Sequence, residues 1–165
     1  MASIFGTSGN DPALTGSDDA DVIFGFAGED TIAGAGGNDF LSGGTGSDSI
    51  NTGAGDDVVL GGGGNDSIGG MAGSDFIQAD AGDDFVAWND PIGDAVFGGT
   101  GNDILLGGNI AADTIDGGDG DDLIRAFATS PEDATAPDLL LGGSGNDVII
   151  GGNAADTIEG GRLDD

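Results

Sequence analysis

Between residues 25 and 87 the apolar side chains recur every nine residues, a spacing that belongs neither to a helix nor to an ordinary strand. Ile32, Leu41, Ile50, Val59, Ile68, Ile77 and Val86 each sit at the centre of a triplet, and each triplet follows a glycine-rich stretch ending in aspartate. The units read GFAGEDTIA (25–33), GAGGNDFLS, GGTGSDSIN, TGAGDDVVL, GGGGNDSIG, GMAGSDFIQ and ADAGDDFVA (79–87) without a gap. The frame continues through GGTGNDILL (98–106), GGDGDDLIR (117–125) and GGSGNDVII (142–150), and back to GTSGNDPAL (6–14); Leu105, Ile124 and Ile149 take the same place, as do Ile115 and Ile158 in the less regular units between and after them. Such self-similarity marks a repeat architecture. Each unit predicts a six-residue turn and a three-residue strand. Along the strand the central residue, the eighth of the nine, faces inward and its two neighbours face outward. Glycines at the first, second and fourth places let the turn take backbone conformations closed to other residues and curl its carbonyls inward.

Composition then limits what such a chain can do. Glycine and proline at 37 and 4 of 165 residues would mark an aperiodic chain as disordered, and a net charge of -29 opposes compaction further. The only cationic side chains are Arg125 and Arg162, so something else must neutralise the 31 acids if the chain folds. Nucleic acid and anionic membrane are excluded as simple electrostatic partners, because both repel this surface. Cations are the natural partners. With no cysteine and no histidine every available ligand is oxygen, which favours a hard cation. The start MASIFGTSGND lacks the basic region and apolar core of a cleaved signal peptide, and no apolar run approaches a membrane span.

The repeat resembles the glycine-rich GGxGxDxUx nonapeptide of RTX proteins, the hemolysin-type calcium-binding family, from Gly6 to Asp165. The resemblance implies an all-β fold over residues 1–165 as a single domain. It would be a right-handed parallel β-roll, a β-solenoid, in which two nonapeptides make one coil of about 18 residues and successive coils stack into two parallel sheets. It also implies Ca2+ between stacked turns, held by the repeat aspartate and by turn carbonyls, and secretion to the cell exterior by a type I-like route without a cleaved N-terminal signal peptide. The residues agree, since calcium wants roughly 6–8 oxygens and two adjacent turns can supply what one cannot.

Alternate turns of a roll lie on opposite edges, and the two edges differ. The first carries turns beginning at Gly6, Gly25, Gly43, Gly61, Ala79, Gly98, Gly117, Gly142 and Gly160, with Asp11, Asp30, Asp48, Asp66, Asp84, Asp103, Asp122 and Asp147 in one column. The second is regular only at GAGGND, TGAGDD and GMAGSD, which place Asp39, Asp57 and Asp75. After residue 80 every departure falls on this second edge. Trp88 is inserted before NDPIGD, the GGNIAAD turn gains Ile110 or Ala111, and AFATSPEDATAP (126–137) is a longer excursion; Ile92, Ala136 and Ala154 replace the fourth glycine. Calcium is therefore expected along the whole first edge and the N-terminal half of the second. Pairing regular turns gives about nine ions, with partial sites at Asp21, Asp94 and Asp165.

The outward positions are unevenly apolar. Val22, Phe40, Val58 and Phe76 would form one column on one sheet, and Ile104, Leu123 and Val148 another on the second. Such columns exceed scattered surface hydrophobicity and suit a homo-oligomer or filament, or a cell-envelope partner. Trp88, Ile110 and Phe127 fall near the irregular turns and mark a further place for a partner. Catalysis is not expected, because the chain has no His, Cys, Lys or Tyr, and Glu132, Asp133 and Asp138 are the one place where a hydrolase-like acidic pair is considered. The expected role is structural, self-assembling or surface-binding. The alternatives are a module of a larger secreted enzyme or adhesin, and an ice-binding protein. The third places of the first edge, Ser8, Ala27, Thr45, Gly63, Ala81, Thr100, Asp119 and Ser144, form no flat threonine array for ice.

Overall fold

The computed structural model describes residues 1–70, 72–108, 111–126 and 136–162. Ile110, Phe127, Glu132, Asp133 and Asp165, singled out above, lie outside the described residues. Seventeen strands, β1 (Ser3–Phe5) to β17 (Thr157–Glu159), are the only regular elements among the described residues. The odd-numbered strands form a nine-stranded sheet in sequence order, and the even-numbered strands, from β2 (Leu14–Thr15) to β16 (Val148–Ile150), form an eight-stranded sheet. Every pairing is parallel, so the chain alternates between two sheets and advances one strand spacing per coil. This is a parallel β-solenoid of about 18 residues per coil. Among the described residues there is no helix long and apolar enough to cross a membrane.

The eighth-place residues build the interior. Ile23, Ile32, Leu41, Ile50, Val59, Ile68, Ile77, Val86, Val96, Leu105, Ile115, Ile124 and Leu140 are all essentially buried, stacked in two facing ladders. Each such side chain contributes roughly 1.5–3 kcal/mol by leaving water, and removing one opens a gap between coils above and below. Ile158 departs from the expected inward position: it is 50 % exposed, because no further strand of the described chain pairs with the outer side of β17 and the interior is open there. Ile149, one half-coil earlier, is partly buried for the same reason.

The division into six-residue turns and three-residue strands holds on only one sheet. Interior strands of the eight-stranded sheet have three residues, such as β6 (Ser49–Asn51), whereas those of the nine-stranded sheet have six, such as β5 (Phe40–Thr45) and β7 (Val58–Gly63). The extra three residues are the first three places of the first-edge turn. Gly44 pairs with Gly62 and Thr45 with Gly63 in the same register as Phe40 with Val58, so the ladder runs on into the turn. On the second edge the equivalent stacking reduces to the single bridges Gly36 to Ala54 and Ala54 to Ala72.

Insertions leave the ladders undisturbed. Val86 still pairs with Leu105 across the coil that contains Trp88, and Ile124 with Ile149 across the coil that contains residues 127–135. The apolar period fixes the strands, and the second-edge turns absorb the surplus chain.

Candidate metal centres

Two aspartate columns run the length of the solenoid, one on each edge. In the first, each peptide N–H from Asp11 to Asp122 donates to Oδ1 of the aspartate one coil on, ending at Asp147, at 2.7–3.1 Å. In the second the same bond links Asp21, Asp39, Asp57, Asp75, Asp94, Asp113, Asp138 and Asp156 at 2.7–3.1 Å. The column therefore continues through every irregular turn. Asp113, Asp138 and Asp156 were not recognised as members from the sequence. They were legible as the residue immediately before each apolar triplet, had the repeats been aligned on strands instead of on turn glycines.

The second carboxylate oxygen separates the turns into two kinds. Oδ2 of Asp30, Asp48, Asp66, Asp84, Asp103, Asp122 and Asp147, and of Asp39, Asp57, Asp75 and Asp94, is buried without a hydrogen-bond partner. In other turns the second-place N–H fills that role: Thr7 donates to Asp11 Oδ2 at 2.6 Å, Ser17 to Asp21 Oδ2 at 2.7 Å, and Gly108 to the Asp113 carboxylate. Asp11 and Asp21 are thus satisfied by their own turns. The Ala2 N–H also reaches Asp21, and these donors hold its pKa below the usual range.

Backbone geometry explains the difference for every aspartate of the first kind but Asp94. Turns beginning at Gly25, Gly43, Gly61, Ala79, Gly98, Gly117 and Gly142 have positive φ at both the second and fourth places, as do those at Gly34 and Thr52; Gly73 is positive in the Gly70 turn. A left-handed second place turns its N–H away from the aspartate and its carbonyl toward the neighbouring coil. The turns at Gly6, Gly16, Asn89, Gly107 and Gly151 show no positive φ among their described residues. Glycine is required where these turns stack: a Cβ on Gly44 would lie 2.1 Å from the Phe26 carbonyl, and one on Gly46 2.0 Å from that of Gly28. Phe26 and Ala35 take the left-handed second place without glycine, each on the first turn of its stack, above Thr7 and Ser17, which are not left-handed. Asp80 is the exception within a stack, and Gln78 Nε2 donates to its carboxylate.

The first-place glycine completes an oxygen-lined cradle. A Cβ on Gly43 would lie 2.3 Å from Asp48 Oδ2 and 2.6 Å from the carbonyl of Gly61; on Gly98 the corresponding oxygens belong to Asp103 and Gly117, at 2.3 and 2.4 Å. An unpartnered carboxylate oxygen and a carbonyl of the next coil converge there. Two such oxygens repel unless a cation joins them. Burial, with lesser repulsion from neighbouring acids, pushes Asp57 and Asp94 up to about 7 and Asp66, Asp75, Asp84, Asp103 and Asp122 up to about 6. Among the described residues no group of three or more His, Cys, Asp or Glu is placed to hold a metal alone, so any ion must share carboxylates with backbone carbonyls. That mixture, all oxygen and spread over two coils, fits calcium.

On the second edge beyond Ala87 bulk replaces the cradle. Trp88 is 5 % exposed and Ala126 3 % exposed; both fill the interior place taken elsewhere by the first glycine. The indole packs on Gly107 and Gly108, where an added Cβ would meet it at 3.2–3.3 Å.

None of the curated proteins searched matches the chain. The model of the RTX calcium-binding nonapeptide repeat (4 copies) matches residues 13–41, 34–68, 68–87, 93–124 and 135–165. With that match over most of its length, and with stacked turns whose oxygens fit the ion, the chain belongs to the RTX calcium-binding nonapeptide repeat family and is a calcium-binding structural module of repeat units.

Proposed function

We propose that the module folds on binding several calcium ions, one between each pair of stacked left-handed turns. On the first edge these pairs run from Gly25 and Gly43 to Gly117 and Gly142; on the second they are Gly34 with Thr52 and Thr52 with Gly70. Asp30, Asp48, Asp66, Asp84, Asp103, Asp122 and Asp147, with Asp39, Asp57 and Asp75, supply the carboxylates. Asp11 falls outside this set, because Thr7 already satisfies it. The observation that carries the reading is the unpartnered, buried Oδ2 facing a carbonyl of the next coil. Calcium, when bound, supplies the positive charge that these oxygens share.

The same geometry gives the reading its regulation. A calcium-free fold would confine these carboxylates, all but Asp147 at 1–3 % exposure, against a net charge of -29, so the ions and the fold share one free energy. Extracellular sites of this kind operate at roughly 0.1–1 mM, far above cytosolic calcium. The chain would stay extended inside the cell, pass a type I-like exporter and fold outside. Far-UV circular dichroism across a calcium titration tests this: strand signal should appear cooperatively near millimolar calcium and vanish with chelator. An unchanged spectrum and thermal midpoint sink the proposal.

A second reading concerns the sheet faces. Phe5, Phe24, Phe26 and Phe40 cluster at the N-terminal end of the nine-stranded sheet, with ring centroids 5.6–6.2 Å apart, and Phe5 and Phe26 are more than half exposed. The strand register joins Val22, Phe40, Val58 and Phe76 into one column, and Ile104, Leu123 and Val148 into another. This patch suits contact with a second calcium-loaded copy, because calcium removes most of the repulsion between edges. Sedimentation in calcium of the Phe40→Ser, Phe76→Ser double variant should show loss of association with the strand signal retained; association equal to the parent chain excludes this face.

A further inference from the structure

Each sheet carries its outward apolar residues toward one end, and the two ends are opposite. On the nine-stranded sheet they run from β3 (Val22–Ala27) to β11 (Ala95–Thr100), where Phe40, Val58, Leu60, Phe76 and Phe97 face out. Beyond β11 the same places hold Thr114, Asp116, Thr157 and Glu159, with Leu139 and Leu141 between them. The eight-stranded sheet reverses the order. Its outward places include Thr31, Ser49, Asn51 and Ser67 as far as β8 (Ser67–Gly69). From β10 (Phe85–Ala87) to β16 they include Phe85, Ile104, Leu106, Leu123, Val148 and Ile150. Val58, Phe76, Phe85, Ile104, Val148 and Ile150 are all exposed. Strand propensity favours such residues at outward places, but it acts on both sheets alike and accounts for no reversal between them.

Each patch also carries one charge, and the two are opposite in sign. Among the outward places of β3 to β11 the only charged residue is Asp80, and among those of β10 to β16 it is Arg125. Asp80 stands in register with Gly62 and Gly99, and its φ of 78° is left-handed. A side chain there costs about 1–2 kcal/mol, and Gln78 Nε2 holds the carboxylate on the outer face. Strain kept where glycine would relieve it points to a use for the side chain.

Two copies can cover these patches in three ways. Nine-stranded face on nine-stranded face brings Asp80 toward Asp80 and leaves Ile104 and Val148 in water. Eight on eight brings Arg125 toward Arg125 and leaves Phe40 and Phe76 in water. Nine on eight, coil opposite coil, sets Phe40 and Val58 against Ser49 and Ser67. Sliding one copy by three coils, about 14 Å at the spacing of strands, lays apolar on apolar and puts the opposite charges into one interface.

We propose that calcium-loaded copies associate by this staggered contact, the nine-stranded face of one on the eight-stranded face of the next. The inference rests on the reading that the sheet faces associate, and it specifies which face meets which. The contact joins two different surfaces by a shift, so a pair keeps one unused face of each kind. It adds further copies and grows as an open filament instead of closing as a dimer.

The test separates the faces by complementation, using the full chain in calcium. Phe40→Ser with Phe76→Ser spoils the nine-stranded face, and Ile104→Ser with Val148→Ser spoils the eight-stranded one. Circular dichroism first shows that both variants fold; if either does not, the single change Val58→Ser or Leu123→Ser takes its place. In sedimentation the parent chain should gain mass with concentration and reach no limiting size. Each variant alone should stay at the monomer mass, whereas an equimolar mixture should double in mass and stop there, because each partner lends its intact face. A variant that dimerises alone, or a mixture that stays monomeric beside an associating parent chain, overturns the staggered contact and leaves self-association standing. A parent chain that is monomeric at every concentration overturns both.

Discussion

The two edges share one aspartate column design and differ in how each carboxylate is answered. Along the first edge the turns from Gly25 to Gly142 repeat one left-handed backbone, and the oxygen opposite each cradle has no protein donor. On the second edge beyond Ala87, Gly108 donates its own N–H to Asp113, and Trp88 and Ala126 occupy the space inside. On the proposed reading the first edge depends on a cation, and most of the later second edge does not. One sheet scaffold would then carry both a cation-dependent and a self-sufficient way of closing a coil.

The largest expected effect is on the dependence of the whole fold on pH. Without calcium, the buried carboxylates at about 6 to 7, Asp57, Asp66, Asp75, Asp84, Asp94, Asp103, Asp113 and Asp122, lie above the roughly 3.9 of an exposed aspartate. Between about pH 4 and pH 7 the folded chain then holds more protons than the unfolded one, so its stability falls as pH rises. Bound calcium would depress those it touches, Asp57, Asp66, Asp75, Asp84, Asp103 and Asp122, and the loaded fold should lose stability as pH falls. Strand signal by circular dichroism in metal-free buffer should increase on acidification from pH 7 toward 4, whereas the thermal midpoint in calcium should drop. Parallel curves would mean that the carboxylates are not what calcium answers.

A smaller effect separates the two kinds of turn within one place of the repeat. Gly46, at φ +119, faces the Gly28 carbonyl at 2.0 Å from an added Cβ, whereas Gly9, in the Gly6 turn, has nothing within 4 Å and no left-handed backbone. Gly46→Ala should destabilise the calcium-loaded fold by about 2 kcal/mol or more, since it imposes left-handed strain and a backbone overlap. Gly9→Ala should stay within about 0.5 kcal/mol of the parent chain. Chemical denaturation in calcium measures both.

What the residues revealed followed the spacing of glycine. Eighth-place residues such as Leu41 and Ile77 and regular-turn aspartates such as Asp48 were visible because glycine punctuates the units on either side. Asp113, Asp138 and Asp156 escaped because their turns vary in length, although the strand after each keeps its register. Asp11 sits in a turn spelled like its neighbours, yet Thr7 stands where left-handed backbone is costly, and the turn closes on itself. The continuation of the nine-stranded sheet into its turns depends on stacking between coils, which no single repeat encodes.

The finest distinction rests on two aspartates that hold equivalent places in their columns. Asp66 Oδ2 shares its cradle with the Ala79 carbonyl, and a Cβ on Gly61 would meet them at 2.6 and 2.5 Å. Asp66→Asn keeps the oxygen that accepts from Asp48 and puts an amide where the cation would sit. That amide can donate to Ala79, so the calcium-free chain gains while the loaded chain loses a charged ligand worth about 1.5–3 kcal/mol. The calcium midpoint of folding should rise and the transition should lose steepness. Asp113→Asn keeps the acceptor for Asp94 but sets an amide against the Gly108 N–H, a loss of about 1 kcal/mol that is the same with and without calcium. Its calcium midpoint should move far less than that of Asp66→Asn at a comparable loss of thermal stability. Equal shifts in the two variants would erase the division between the edges, because both columns would then be answering the same ion.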